Sequence, residues 1–495
     1  MGFWKHDGIM SMKAVQGDFD AVIIGSGPNG LSAAITLAMA GARVCLLEGK
    51  QDLGGGMRTQ SLTLPGFQHD VCSAVHPMGI LSPFLKTLPL HEHGLEWVHP
   101  KASVAHPLDG QPAVMLWRDL EKTCQGLGGD GDAYGRMLKP FLRDPDSLLS
   151  DLMGPLSWPK SPLTMLRFGL LAIRSATGLA NGRFRGERAK ALFAGCAGHA
   201  IMPLEHRLTA ALGLIFTLTG HLTDWPVVRG GTATLAHAMH GYFTALGGTT
   251  ILNSMVTKAA DLPAARVYLF DTSPAQLAAI NKDALPGRYV QALQRYRYGP
   301  GVFKIDWALS QSIPWSDPNC GLASTIHLGG TMSEIAHAER EMWSGGHPEK
   351  PFVLLCQQSV MDSTRAPSGQ HTGYAYCHVP ANSTVDLTGA IEAQVERFAP
   401  GFRDTILARH VMNTQSFVRH NPNYFGGAIT GGVADLGQLF TRPVARLNPY
   451  STPHPRIFIC SASTPPGGGV HGMCGYHAAR RVLKRLHRHA IEPLA

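Results

Sequence analysis

Charge is sparse in this 495-residue chain: 16% of residues are Asp, Glu, Lys or Arg. The formal net charge is +8, yet no lysine-rich run or basic–aromatic interleaving marks a nucleic-acid binder. Cys-x-x-Cys pairs are absent. The nine cysteines are scattered and odd in number, which argues against a disulfide framework or zinc site and for free thiols in a reducing compartment. The 24 histidines include no His-Glu-x-x-His run or other ligand spacing, so no metal is expected. In the apolar middle, the longest stretch without a charged side chain, Leu208 to Thr223, is too short for a membrane span. Residues 1–17 lack the long apolar core of a signal peptide and read as a flexible leader. Internal repeats and low-complexity segments are missing too. These absences describe a cytoplasmic folded protein of two or three domains. Arg167, Arg174, Arg183, Arg185 and Arg188 leave open a peripheral contact with an anionic membrane.

Glycine, by contrast, is plentiful, with 56 residues. Asp20-Ala-Val-Ile-Ile-Gly-Ser-Gly-Pro-Asn-Gly30 reads as a buried strand entering Gly25-x-Gly27-x-x-Gly30, followed by a helix from about Pro28 to Ala40. Gly25 allows the tight turn, Gly27 the approach of a pyrophosphate, and Gly30 close helix–strand packing; the helix start, with Ser26, Pro28 and Asn29, offers N–H groups to phosphate. A second apolar run, Arg43 to Leu47, ends on Glu48, placed to bind an adenosine ribose. A further cluster, Gly54-Gly55-Gly56-Met57-Arg58, provides bare backbone for a large ligand and a guanidinium for its phosphates. Ser73 and His76 lie where the chain leaves this unit.

Between about residues 80 and 224, Leu163, Leu166, Leu170 and Ile173 recur at helical spacing, and Leu208 to Leu218 is another apolar helix candidate; either a ligand-enclosing cap or a plain helical core fits. Gly128-Gly-Asp-Gly131 reads as a helix-entry turn. An α/β pattern resumes at Trp225: a helix over about 233–246 and strands over 249–252 and 266–270. Strands dominate from 298 to 410, including Val302–Leu309 and an antiparallel pair over 352–357 and 372–379. Lys304 lies inside the first of these and needs a partner, a purpose or a route to solvent. Near the C-terminus a strand over 456–461 leads through Pro466-Gly467-Gly468-Gly469-Val470-His471 to a helix ending near His489. This second glycine-rich helix entry suits the anionic edge of a reduced isoalloxazine.

With these motifs the chain resembles the phytoene-dehydrogenase-like branch of the FAD-dependent amine-oxidase superfamily. The likeness also rests on Pro226-x-x-Arg-Gly-Gly231, Tyr298-Gly-Pro-Gly-Val-Phe-Lys304 and Asn421-Pro-Asn-Tyr424. It implies an α/β fold, with a discontinuous Rossmann-like FAD-binding domain and a substrate domain of mixed β-sheet capped by helices. The expected segments are FAD-binding over 18–79, 225–297 and 415–495, a helical cap over 80–224 and a β-rich substrate part over 298–414. The resemblance also implies that Val256 touches the adenine end and that Lys304 lies near flavin N5. No signal for covalent attachment is present, so FAD is expected to bind non-covalently.

The expected chemistry is removal of hydride from carbon of an apolar, elongated substrate. His471 and Tyr476 are candidates for proton transfer, each with a structural contact as the plainer reading. Without a second strand–GxGxxG–helix unit no resident NAD(P) site is expected, so electrons would pass to oxygen or a quinone, or return to substrate in a redox-neutral isomerisation. A flavin amine oxidase, or a catalytically silent flavoprotein acting as binding or assembly partner, are the competing readings. Self-association into a homo-oligomer is open.

Overall fold

The computed structural model describes residues 19–489, and the expected leader lies outside them. Two sheets organise the chain. In the first, five parallel strands run in the order Ile457–Ile459, Ala265–Phe270, Phe19–Ile24, Val44–Leu47, Thr249–Ile251. Their continuous apolar runs reflect burial on both faces. Ala21, Ile23, Leu46 and Leu269 pack towards the helices Pro28–Met39, Thr232–Ala245 and Met473–His489. Val22, Ile24, Leu47 and Ile459 face the opposite way, onto Leu277, Tyr289 and Leu293.

The second sheet has seven strands, in the order Ile406–Met412, Gly301–Leu309, His371–Val379, Val353–Cys356, Ala323–Leu328, Ala102–Leu108, Gln111–Leu116. Only Ala323–Leu328 and Ala102–Leu108 pair in parallel. One face packs on Ile391, Val395 and Phe402; the other carries the helical lobe, including Glu187–Gly198 and Thr209–Thr223. The segment expected as a helical cap thus also supplies two strands. The first pairs with Ala323–Leu328, more than 200 positions away (Ala102 with Ala323), which no local pattern reveals, and the second folds back on the first as a hairpin.

A buried ionic joint ties the sheets together. Asp70 accepts hydrogen bonds from Arg365 Nη2 (2.7 Å), Thr59 Oγ1 (2.8 Å) and the Thr232 amide (2.8 Å), while Arg365 Nε also reaches Asp362 (3.0 Å). Against the cost of burial, the Arg365 guanidinium and the other donors hold Asp70 below the ordinary carboxyl range.

Candidate functional site

A single cavity of about 1660 Å³ runs from the C-terminal edge of the parallel sheet, past the large sheet, into the helical lobe. At one end the two glycine-rich helix entries converge. Gly25 adopts φ +102°, and a Cβ on Gly30 would stand 1.9 Å from the Gly25 carbonyl oxygen, so the tight turn needs glycine at both positions. The first helix starts at Pro28 with Gly27 as its cap, which supplies no side-chain acceptor, and neither this helix nor Met473–His489 has an acidic residue in its first turn. The two starts pack directly together: a Cβ on Gly475 would lie 1.8 Å from the Asn29 carbonyl oxygen. Two converging helix starts, the first headed by the bare backbone of Gly27, form a cradle for anionic oxygens.

Glu48 ends its strand on the cavity wall. Its Oε2 accepts from Ser26 N (3.1 Å) and Ser26 Oγ (2.6 Å), its Oε1 from Lys50 N (3.0 Å), and Arg58 Nη2 lies 3.4 Å away. Asn29 Oδ1, His76 Nδ1, Ser254 Oγ and Thr272 Oγ1 are buried without a partner, and all four residues line the cavity. Orphaned polar atoms around two helix starts, with a carboxylate at the end of the second strand, fit a dinucleotide such as FAD. No group of three His, Cys, Asp or Glu side chains able to hold a metal ion occurs among the described residues.

Most of the residues singled out in the sequence meet at this wall. Gly25 to Asn29, Glu48, Gly55, Gly56, Arg58 and Val256 line it, as do Gly468, Gly469, Val470 and His471 from the far end of the chain. Gly30, Gly54 and Met57 stand behind it as support: the Gly54 amide donates to Ser26 O (3.1 Å), and the Met57 amide to Gly54 O (2.8 Å). His471 ties its own turn, its Nδ1 accepting from Met473 N at 3.0 Å. Burial lowers its pKa to about 4, so the ring is neutral.

Two expected catalytic side chains do not reach the wall. Lys304 is completely buried, forms an ion pair with Asp306, and holds its Nζ 4.3 Å from the centroid of the Tyr374 ring, which does line the cavity. His69 and His410 flank Asp306 at 3.8 and 3.6 Å, so Lys304 belongs to a closed charge cluster. Tyr476 stacks on Phe84 (4.8 Å between centroids) and accepts from Arg480 Nη1 at 2.7 Å. Cys72 and Ser73 occupy the wall beside the glycine cluster instead. Tyr424 OH donates to Cys72 Sγ at 3.3 Å, and Ser73 Oγ to the Gly56 carbonyl at 2.9 Å.

Asp271 was not foreseen as a site residue. Its carboxylate oxygen accepts from the Gly30 amide at 2.8 Å, and burial, with Glu48 nearby, raises its pKa well above the ordinary value. Its signal was present in the sequence: it ends a predicted strand at the sheet's C-terminal edge, where ligands of such sheets bind. His199, also on the wall, gave no signal.

The remaining wall is apolar: Met165, Phe168, Ile215, Phe216 and Leu354 among others. At its outer end the helix Pro162–Ala172 turns Leu163, Leu166 and Leu170 to the surface, each about 60% exposed (63%, 58% and 63%). The leucine stripe is therefore neither core nor sealed cap, but the rim of the cavity.

Residues 23–87 match the family model of the NAD(P)-binding Rossmann-like domain. Over its length the chain is similar to pyridine nucleotide-disulfide oxidoreductase domain-containing protein 2 of Rattus norvegicus, at 26% identity covering 98% of this chain and 96% of that one. It is 23% identical to a lycopene-forming phytoene desaturase of Paracoccus sp., covering 50% of this chain and 52% of the relative. A cofactor-binding redesign of putrescine oxidase superposes with a TM-score of 0.63 at 17% identity, covering 95% and 99% of the two chains.

Proposed function

We propose that the chain is an FAD-dependent oxidoreductase, a dehydrogenase or desaturase acting on carbon of an apolar, elongated substrate, with FAD bound non-covalently; its likeness to a phytoene desaturase and its Rossmann-like match support this reading. The observation that carries this reading is the continuous cavity. At about 1660 Å³ it exceeds the ~300–1,000 Å³ typical of a single-ligand site, so a cofactor and a second ligand fit end to end. Its outer part is walled by Phe168, Ile215 and Phe216, a poor setting for a small charged amine.

FAD supplies the two-electron acceptor when bound. The protein's own contributions are positional and electrostatic. The start of Pro28–Met39 holds the pyrophosphate and Glu48 the ribose. Gly468 to Val470, at the start of the C-terminal helix, present amides to the ring edge that gains negative charge. Cys72, Ser73 and Tyr374 shape the face opposite the apolar channel and exclude water. Electrons leave to oxygen or a quinone.

The exposed leucines at the rim, with Trp158 nearby at 87% exposure, give the channel an apolar mouth suited to resting on a membrane and drawing substrate from it. No helix among the described residues is long and apolar enough to cross one.

The test is an absorption spectrum of purified protein, followed by anaerobic addition of a lipid extract. Flavin bands that bleach, with a product gaining one double bond, are the expected result. A protein that stays colourless after refolding with FAD overturns the proposal, and bands that never bleach overturn its redox part.

A further inference from the structure

Asp271 stands where the first glycine turn meets the cavity, and it holds that turn from the neighbouring strand. It follows Ala265–Phe270, and its amide donates to the Ile24 carbonyl at 2.8 Å. Asn423, from the Asn421-Pro-Asn-Tyr424 motif, clasps the same stretch: its Nδ2 donates to the Asp271 carbonyl at 3.3 Å, and its Oδ1 accepts from Ser273 N at 2.7 Å. The side chain is thereby laid over the glycines. Oδ2 accepts from the Gly30 amide at 2.8 Å, and a Cβ on Gly27 would stand 2.7 Å from it. The other oxygen, Oδ1, has no protein partner and is not sealed by packing, so it opens onto the cavity that Asp271 lines.

The turn itself offers a phosphate few donors. Gly25 N donates to Leu47 O, Ser26 N to Glu48 Oε2, Gly30 N to Asp271 and Leu31 N to Gly27 O, while Pro28 has no N–H. The amides of Gly27 and Asn29 are left for a ligand, and a pyrophosphate has more acceptor oxygens than these can serve. An ionised Asp271 would repel it besides. Among the described residues no Lys, Arg or His pairs with Asp271. The titratable groups facing it are Glu48, at the end of Val44–Leu47, and the thiols of Cys460 and Cys474, both held neutral by burial. A carboxyl group so placed keeps its proton: burial and Glu48 raise its pKa well above the ordinary value.

We propose that Asp271 is a binding residue for the cofactor and works as a neutral carboxylic acid, Oδ2 capping the Gly30 amide and the protonated Oδ1 donating to the pyrophosphate of FAD. The proposal rests on the reading of the cavity as an FAD site and adds a donor that the glycine motifs do not contain. It also gives Asn423 a task, that of fixing the acid over the turn. Loss of the proton would convert the same group from a donor into a repelling charge.

Infrared spectra of FAD-loaded wild type and Asp271→Asn test the proton directly. The wild type is expected to show a carboxylic-acid C=O band, shifted in heavy water, that the variant lacks. Titration of FAD into apoprotein gives a second readout. Asparagine keeps an acceptor for Gly30 and a donor for phosphate. Asp271→Asn should therefore bind FAD within about threefold of the wild type, whereas Asp271→Leu, of similar shape but with neither group, should bind at least about tenfold more weakly. A holoprotein without that band, or an Asp271→Asn variant that binds FAD as weakly as Asp271→Leu, would overturn the proposal while leaving the FAD site standing. A wild type that takes up no FAD would refute the cofactor reading, and the proposal with it.

Discussion

At the scale of single residues, the cradle and the charge cluster behind it make opposite demands. Glu48 lines the cavity and is also bonded to Ser26 and Arg58. Glu48→Ala should weaken FAD binding roughly 10- to 100-fold, the value of hydrogen bonds to a charged group, as measured by titrating FAD into apoprotein. Lys304 does not line the cavity. Lys304→Met leaves Asp306 buried and unpaired, so it should cost about 3–5 kcal/mol of stability in denaturant unfolding, and adding Asp306→Leu should recover most of the loss. Flavin reduction unchanged in the folded double variant would confirm that Lys304 has a structural task. The sequence showed that a lysine inside an apolar strand needs a partner. It did not show which, because Asp306 two positions on reads as strand alternation until the strand proves buried along its whole length. His199 was illegible for a related reason: the packing of its helix on the sheet, and not its spacing in sequence, brings it to His327.

Among the elements, those with a strong local signature came through within a residue or two: the first strand and helix, the helix Thr232–Ala245, and the antiparallel pair Val353–Cys356 with His371–Val379. What failed locally was the strand Ala102–Leu108, which owes its place to Ala323–Leu328 far along the chain, and with it the hairpin strand Gln111–Leu116 that pairs on its other side. The helix Pro162–Ala172 was found, but its direction was not, because apolar residues at helical spacing mark a face and do not say what covers it. Since Leu166 and Leu170 are exposed, the double variant Leu166→Glu/Leu170→Glu should change folding stability by no more than about 0.5 kcal/mol while abolishing co-sedimentation with anionic vesicles. Retained co-sedimentation would place the membrane contact elsewhere.

For the molecule as a whole, acid is the expected weakness. His76, His106 and His471 are buried and shifted down to about 4, and His199 to about 3. Between those values and the ordinary imidazole value of 6.5 the unfolded chain binds protons that the folded chain does not, so stability should fall steadily as pH drops from about 6.5 towards 4. Asp271 contributes with the opposite sign. Its raised pKa makes the folded state bind the extra proton, so its contribution weakens as pH rises above the ordinary carboxyl value. The histidines outnumber it, and the melting temperature should decline from about pH 7 to about pH 5, with a shallower slope in His106→Gln.

The parallel sheet has a consequence for how the protein is made. Its strands come from residues 19–47, 249–270 and 457–459, and the helix that completes the cradle follows at 473–489. During synthesis the first glycine loop is translated hundreds of codons before its counterpart. A cradle built from both glycine turns therefore waits until residues 466–489 have been translated. A product cut short before residue 466 keeps the first glycine loop but lacks the second, and should fail to take up FAD in the titration described above.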